Sequence, residues 1–356
     1  MGKKIIILLL ALLTHNMVSA EVLFLDTELS THFDNTEHTG SDVGESRTVF
    51  AVRATPTLGY RFDKYHSVVV GTELLKDFGS ANYMDGVKFI AYYEFNNGKY
   101  AANAGIFQRN KLVGEYSRAF FSDAYHIYNA TVQGVALRHT GGGGGFAELA
   151  VDWDGLYSPQ TREKFRVLAA GGGNFADIFY AGGAFSMQHF ANKSTFYGNV
   201  VDNLLLNPYI GVKFSAFLDF DIRLGALISA QRDRRTDEGW KAPMGGELFL
   251  RLSRWGLYVE NNLYVGGSLT PFYATIGADD LPYADNLYTC DPFYGTTHKV
   301  YNRTGIGYSR AFAGERVKVK AEFALQYNGQ KLFCQQLVGI TATICPTLYD
   351  KKNHKK

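Results

Sequence analysis

Residues 316–327 read RVKVKAEFALQY and alternate polar with apolar side chains. The even-numbered positions include three basic residues, a glutamate and a glutamine, and the odd-numbered positions are apolar apart from the closing tyrosine. Because successive side chains of a β-strand point to opposite faces, the segment predicts a strand with one charged face and one apolar face. A soluble domain would bury the apolar face, whereas a barrel in a membrane would expose it to lipid.

The composition of the whole chain is typical of an all-β protein. The 356 residues include 38 Gly, 23 Tyr and 26 Phe but only 8 Pro. Aromatic residues favour strands and glycine favours tight turns. The formal net charge is +2, which gives no reason to expect a nucleic-acid partner.

Residues 1–20 have the layout of a secretory signal peptide. Two lysines precede an apolar run over residues 5–13, and small residues at 18–20 resemble a cleavage site. The run is too short to span a membrane as a helix. We therefore predict an exported protein whose mature chain begins near Glu21.

Alternation of period two, bounded by turn residues, predicts about sixteen strands. Most of them are about nine residues or longer, as a tilted strand needs to be to cross a bilayer. One of these strands is predicted over residues 124–138. Tight turns alternate with long polar connections, which is typical of barrels with short periplasmic turns and long extracellular loops. The longest connection, residues 266–298, is predicted to fold inward or to cover the mouth.

A secreted β-sandwich would show the same alternation on any single strand. Two observations favour the barrel. The apolar faces are rich in Ala, Val and Leu, and aromatic residues such as Tyr60, Phe62 and Trp153 cluster near strand ends, where barrels place their girdles. We predict an all-β fold, a single transmembrane antiparallel up-and-down β-barrel over residues 21–345, followed by a short basic tail at 346–356.

In strand length, loop alternation and aromatic girdles, the chain resembles the porin-like outer-membrane β-barrels of Gram-negative bacteria. The Tyr-rich sequence, with FDNTE at 33–37 and DWDG at 152–155, resembles uncharacterised barrels of the Bacteroidota type. The resemblance implies a location in the outer membrane, with lipid and lipopolysaccharide around the wall. Porins are often trimers, so a homo-oligomer stays open.

A barrel of about sixteen strands is wide enough for an aqueous lumen. The charged face of the opening strand would line it with a basic stripe of Arg316, Lys318 and Lys320. Turn positions place Lys318 near Gly307 and Lys320 near Gly305, with no carboxylate directly opposite. The stripe predicts a bias toward anionic solutes.

A second group of charges is predicted to form a ladder on the lumen side: Glu148, Asp152, Asp154, Arg162, Lys164 and Arg166. If residues 155–161 close a hairpin, Asp154 faces Arg162 and Asp152 faces Lys164. Opposite charges across a strand pair contribute at most about 1 kcal/mol each. We interpret the ladder as bracing for the wall rather than as a solute site.

The three cysteines divide into a candidate pair and a free thiol. Cys290 lies in the longest outer loop and Cys334 at the outer end of the last strand, so a disulfide between them is predicted in an oxidising envelope. Cys345 lies about 36 Å further along that strand, which is beyond disulfide reach.

No catalytic motif is recognised. Ser186 and His189 fall on opposite faces of a strand, and Ser122, Asp123 and His126 near the rim do not form a known nucleophile-and-base pattern. No metal-ligand spacing or cofactor motif is recognised either. We therefore predict no enzymatic activity, no cofactor and no metal.

The predicted function is passive or weakly selective diffusion of small hydrophilic solutes, with a bias toward anions, through an outer-membrane channel. Two alternatives stay open. One is a barrel that does not transport and whose loops bind a surface lipoprotein or an assembly partner. The other is a barrel hydrolase that modifies lipid.

Overall fold

The computed structural model describes residues 22–40, 46–195, 200–236, 238–277, 280–295 and 298–350. The predicted signal peptide and the last part of the predicted tail, residues 351–356, lie outside the described residues.

Sixteen antiparallel strands form a closed barrel in which each strand pairs with its neighbours in sequence, and β1 pairs with β16 to close the wall. The predicted fold is confirmed. A short seventeenth strand pairs with the start of β1, so the wall continues past the predicted boundary at residue 345. The strands are β1 (Val22–Glu37), β2 (Arg47–Arg61), β3 (His66–Asp77), β4 (Gly86–Asn96), β5 (Tyr100–Gln108), β6 (Thr131–Thr140), β7 (Phe146–Gly155), β8 (Lys164–Asn174), β9 (Phe179–Phe190), β10 (Val201–Ser215), β11 (Asp219–Asp233), β12 (Met244–Arg254), β13 (Leu257–Gly266), β14 (Val300–Phe312), β15 (Val317–Tyr327), β16 (Leu332–Ile344) and β17 (Thr347–Asp350).

The few helical segments lie in the connections. They are the helices α1 (Asp123–Tyr128) and α2 (Ala284–Leu287), and the 3-10 helices Arg109–Lys111, Gly142–Gly144 and Pro292–Gly295. In the described ranges, no helix has the length and apolar character needed to cross a membrane.

The wall exposes its apolar face and turns its polar face inward. On β15, Phe323 is 44% exposed, whereas Glu322 and Gln326 on the other parity are buried. Soluble proteins rarely expose large contiguous apolar surfaces, because water makes them unfavourable. The apolar parity of residues 316–327 therefore faces lipid, as an outer-membrane barrel requires.

The predicted register between β14 and β15 is wrong. Lys318 pairs with Ala311 and Lys320 with Ser309, rather than with the two glycines further from the turn. β14 continues to Phe312 and β15 begins only at Val317, so the turn consists of residues 313–316 and lies further along the chain than the predicted register requires. Ala313, with φ of 52°, begins the left-handed backbone of this turn.

Two connections fold into the lumen. The first inward loop is residues 109–130 and carries α1; the second inward loop is residues 267–299 and carries α2. Their buried apolar side chains pack against one another and against the inner wall, and they include Ala119, Phe120, Phe121, Leu269, Phe293 and Tyr294. Burial of a Phe side chain contributes about 2 kcal/mol. The lumen thus holds a hydrophobic core, and the predicted inward folding of the long connection is confirmed.

One predicted strand is wrong at its beginning, which lies in the first inward loop. Residues 124–138 were expected to be extended, but residues up to Tyr128 are helical and β6 begins only at Thr131. The Ser122 side chain accepts a hydrogen bond from the Tyr125 backbone N–H at 3.1 Å, which caps the helix. Asp123 in the first turn favours the same start through the helix dipole.

The predicted Cys290–Cys334 disulfide is wrong, since all three cysteines are free. Cys290 packs with the second inward loop inside the barrel. Cys334 lies on the outward parity of β16, between Phe333 and Gln335, which are buried on the inner side. The wall therefore separates the two thiols. Cys345 is exposed beyond the end of β16.

We expect a water-soluble maleimide to label the folded chain at Cys345 before the other two cysteines, because this thiol is exposed, although partial burial and a hydrogen bond to Asp26 raise its pKa. Cys334 faces the lipid, and burial raises the pKa of Cys290 to about 12, which suppresses its reactive thiolate. Mass spectrometry of the labelled protein checks this, with Cys345→Ser as the control that loses the rapid label. After unfolding without reductant, all three thiols are expected to react. A third label that appears only after reduction would contradict the free Cys290 and Cys334.

Candidate active site

A cavity of about 420 Å³, here called the lumen cavity, lies inside the barrel between the first inward loop and the inner faces of β1, β2 and β3. Its wall combines charged, amide and aromatic side chains. The lining residues are Glu28, Arg53, Thr55, Glu73, Gln108, Arg109, Asn110, Leu112, Gly114, Tyr116, Phe121, His126 and Ala130.

Two features bring these residues together. The strand residues occupy inward-facing positions, and the first inward loop leaves the wall directly opposite them. Glu28 lies on the inward parity of β1, and Asn110 Nδ2 donates a hydrogen bond to its Oε2 at 3.1 Å. Where the chain leaves β5, Gln108 Nε2 donates to Thr55 Oγ1 on β2 at 2.6 Å. These bonds tie the beginning of the first inward loop to the opposite strands and enclose the cavity.

Arg109 clamps both ends of the first inward loop to the wall. Its Nη2 donates to Asp152 Oδ2 on β7 at 2.6 Å and to the Thr131 carbonyl at 2.9 Å. Its Nε donates to the Asn129 carbonyl at 2.9 Å. Since Arg109 is only 6% exposed, this ion pair is largely screened from water, and removal of one partner would leave the other charge buried.

Two buried polar atoms in the cavity wall have no hydrogen-bond partner among the described residues: Glu73 Oε2 and Arg109 Nη1. Glu73 is 3% exposed, and its other oxygen lies 3.5 Å from Lys88 Nζ. An unsatisfied buried polar group costs about 1–3 kcal/mol. Glu73 and Arg109 therefore bring one unused acceptor and one unused donor to the wall of the lumen cavity, and both atoms are themselves screened from water.

His126 presents its side chain to the lumen cavity from α1. The surrounding protein lowers its pKa to about 4, chiefly by burial inside the barrel; Asp123 opposes this effect, and Arg109, Arg118 and Arg53 add to it. The imidazole is therefore neutral at pH 7 and can accept a proton. Arg53 Nη1 donates to the backbone carbonyl of His126 at 3.1 Å, which fixes the end of the helix.

The predicted ladder is in the lumen, but its predicted pairs are wrong. Asp152 pairs with Arg166, and a bulge near Trp153 puts Gly155 opposite Lys164. Arg162 lies away from these carboxylates, with its guanidinium 5.0 Å from the Phe190 ring centroid. The bulge inserts a residue into β7, which the regular alternation of the sequence could not reveal.

The ladder carboxylates bind the first inward loop in addition to the wall. Glu148 accepts hydrogen bonds from the Val113 and Gly114 backbone N–H groups at 2.6 and 3.1 Å. Arg166 lies 3.6 Å from Asp154 and donates to the Tyr125 hydroxyl at 3.0 Å. These side chains hold the loop in the lumen and so define one side of the cavity.

The basic stripe lies apart from the lumen cavity. Lys318 and Lys320 face the lumen and are exposed, near the periplasmic turn that contains Arg316. Lys320 Nζ lies 3.3 Å from Glu322 Oε2 on the same face of β15. This carboxylate partly neutralises the stripe. Only carboxylates on the strands that face Lys318 and Lys320 entered the prediction, and Glu322 lies on β15 itself.

The sequence interpretation did not identify Glu73 or Arg109, and it set His126 aside. The rim group considered with His126 does not assemble, because Ser122 caps α1 and Asp123 binds Arg118 at 3.0 Å. The sequence does contain one signal for this site, because charged residues are concentrated at the inward-facing positions of β1, β2 and β3. These positions line a cavity only because the first inward loop folds against them.

We expect Asp152→Ala to loosen the first inward loop. The change leaves Arg109 buried without its carboxylate, which destabilises by about 3–5 kcal/mol. In planar bilayers the unaltered chain is expected to be silent and the variant to show openings. Asp219→Ala, which removes an exposed carboxylate at a periplasmic turn, is the control. Steady openings of the unaltered chain would contradict a lumen closed by the loops.

Solved porin-type barrels share the fold. OprD of Pseudomonas aeruginosa matches with a TM-score of 0.54 and 9% identity, over 93% of this chain and 97% of that chain. OccK11 (OpdR) of the same organism matches with a TM-score of 0.53 and 9% identity, over 92% of this chain and 98% of that chain. The predicted porin-like barrel is confirmed, and the outward apolar wall belongs in the outer membrane of a Gram-negative bacterium.

A family model described as "Lipid A 3'-O-deacylase-type" matches residues 16–228. The matched range contains every residue that lines the lumen cavity. No curated protein sequence matches the chain.

Proposed function

The chain belongs to the lipid A 3'-O-deacylase-type family, so the prediction that it is not an enzyme is wrong, and we propose that it hydrolyses an ester-linked acyl chain of a lipid A-type glycolipid. The observation that supports this proposal is the lumen cavity. It combines a neutral, accessible His126 with the unpaired Glu73 Oε2 and Arg109 Nη1. Ester hydrolysis needs a proton acceptor for water and a donor for the developing oxyanion.

In the proposed reaction, a water molecule in the lumen cavity attacks the ester carbonyl carbon while an imidazole nitrogen of His126 takes its proton. The free N–H of Arg109 donates to the carbonyl oxygen as negative charge develops there. Collapse of the tetrahedral intermediate breaks the bond to the sugar oxygen, and His126 returns the proton to it. The products are a fatty acid and a free sugar hydroxyl.

The other lining residues suit the two parts of such a substrate. Leu112 and Phe121 offer apolar surface to an acyl chain, and Phe121 also packs edge-on against His126 with ring centroids 5.7 Å apart. Arg53 and the amide groups offer donors to polar atoms of a sugar. Glu73 would accept a hydrogen bond from the attacking water and orient it.

We expect His126→Asn to reduce deacylation of purified lipid A by about a hundredfold or more, because the proton acceptor is lost. Mass spectrometry of the lipid products measures the reaction. His139→Asn is the matched control, since His139 lies on β6 outside the lumen cavity, beside Tyr100. Heat-modifiable gel mobility verifies that both variants form barrels. Full activity of His126→Asn would refute the role of His126.

The pH profile gives a separate check on the same residue. A lowered pKa keeps His126 neutral until the pH falls to about 4, so the acid limb of activity is expected near pH 4. A histidine in an unperturbed environment would place that limb near pH 6.5. An acid limb at this higher pH would contradict the environment described for His126.

A second candidate function is passage of small hydrophilic solutes with a bias toward anions. It is favoured by Lys318 and Lys320, which are exposed on the lumen side of β15. Steady openings of the unaltered chain in planar bilayers, with an anion-biased reversal potential in asymmetric KCl, would support this function over a lumen closed by the loops.

A further inference from the structure

Five outward-facing residues form a continuous row across β7 to β11, here called the interface row. Strand pairing sets Trp153 opposite Phe165, Phe165 opposite His189, His189 opposite Asp202 and Asp202 opposite Arg232. Directly opposed residues in antiparallel strands place their side chains on the same face. The row therefore runs across the wall close to the outer ends of all five strands.

The interface row marks the outer limit of the lipid-facing surface. On β11 the outward parity carries Leu224 and Ile228, which are 59% and 39% exposed, and Arg232 follows on the same parity. On β10 the exposed Leu206 is followed outward by Asp202. Apolar side chains thus give way to charged ones where long connections begin, which is the level of the lipid headgroups.

One half of the interface row is aromatic. The Trp153 and Phe165 rings are stacked with centroids 5.0 Å apart and an interplanar angle of 17°. The His189 ring continues the series, with its centroid 5.0 Å from that of Phe165. Together they give a flat surface with an apolar side toward the membrane and a polar end at His189.

The other half of the interface row is Asp202 and Arg232, and Arg234 in the turn after β11 places a second guanidinium group beside it. Arg234 Nε and Nη2 donate to the two oxygens of Asp202 at 2.8 and 2.9 Å, and Asp202 also lies 3.7 Å from His189 Nδ1. The Arg234 side chain is still 54% exposed. The Arg232 side chain is exposed, and no hydrogen bond or ion pair joins it to another side chain in the described part of the chain.

We propose that the interface row binds a phosphorylated glycolipid of the outer leaflet. Guanidinium groups match the geometry of phosphate oxygens, and Asp202 holds Arg234 in place beside Arg232. The apolar stripes of β10 and β11 continue directly from these arginines toward the membrane centre. An anionic headgroup and its acyl chains are therefore matched by one continuous surface, which favours a membrane lipid over a soluble anion.

This docking site is independent of the proposed hydrolase. It lies on the outer face of β7 to β11, whereas the lumen cavity lies inside the barrel beside β1, β2 and β3. His126→Asn is therefore expected to leave glycolipid binding at the interface row unchanged. A chain that deacylates lipid A without binding it at the interface row would refute the docking site. A chain that binds it there without deacylation would refute the catalytic site.

Native mass spectrometry of the full chain in detergent, titrated with bisphosphorylated lipid A, tests the proposal. The double variant Arg232→Gln/Arg234→Gln is expected to weaken binding by about tenfold or more, because charge-assisted hydrogen bonds to phosphate are lost. The matched control is Arg254→Gln/Arg310→Gln, which removes two outward-facing arginines near the periplasmic turns. This control is expected to bind like the unaltered chain.

Three outcomes would overturn the proposal: equal binding by the double variant, equal binding of dephosphorylated lipid A, or competition by inorganic pyrophosphate at the same concentration. The last would identify a site for free phosphate rather than for a membrane lipid. Heat-modifiable gel mobility confirms that each variant is folded. If the double variant does not form a barrel, Arg234→Gln alone supplies the test, since Arg234 lies in the turn after β11.

Discussion

In lipid, every backbone N–H and C=O must find its partner within the protein, and the pairing of β1 with β16 is what satisfies this requirement here. Closure fixes the circumference at sixteen strands, which is too wide for inward side chains alone to fill. The two inward loops occupy the remaining space. The lumen cavity is therefore a consequence of closure: it is one of the spaces that neither the wall nor the loops fill.

Filling a polar lumen with loops requires partners for buried charge. Arg109 of the first inward loop meets Asp152 on β7 at 2.6 Å, and Arg118 of the same loop lies 3.7 Å from Glu260 on β13. Such pairs contribute little net stability when whole, but breaking one is strongly unfavourable. They therefore fix the position of this loop. Arg109 Nη1 is left without a partner among the described residues, and Arg109 lines the cavity to which we assign chemistry.

The sequence was sufficient to predict the barrel, since alternation on strands such as β15 is a local property and survives into the structure. It was insufficient for features that depend on contacts between distant segments. The bulge near Trp153 shifted the predicted ladder, and α1 replaced the start of a predicted strand, although the capping Ser122 was visible. The lumen cavity joins Glu73 on β3 to His126 in a loop, and alternation within either segment contains no information on the other. Enzymatic function was missed for the same reason, and the family match to residues 16–228 corrected it.

The seam of the wall also constrains the order of folding. Thr27 pairs with Ile344, and after Pro346 the chain bends so that β17 pairs with the first residues of β1. β1, the first strand of the chain, therefore gains its second neighbour only when β16, near the end of the chain, is in place. Contacts between such distant segments form slowly, because a long chain must first be brought together. Until then β1 presents an open edge that can pair with other chains.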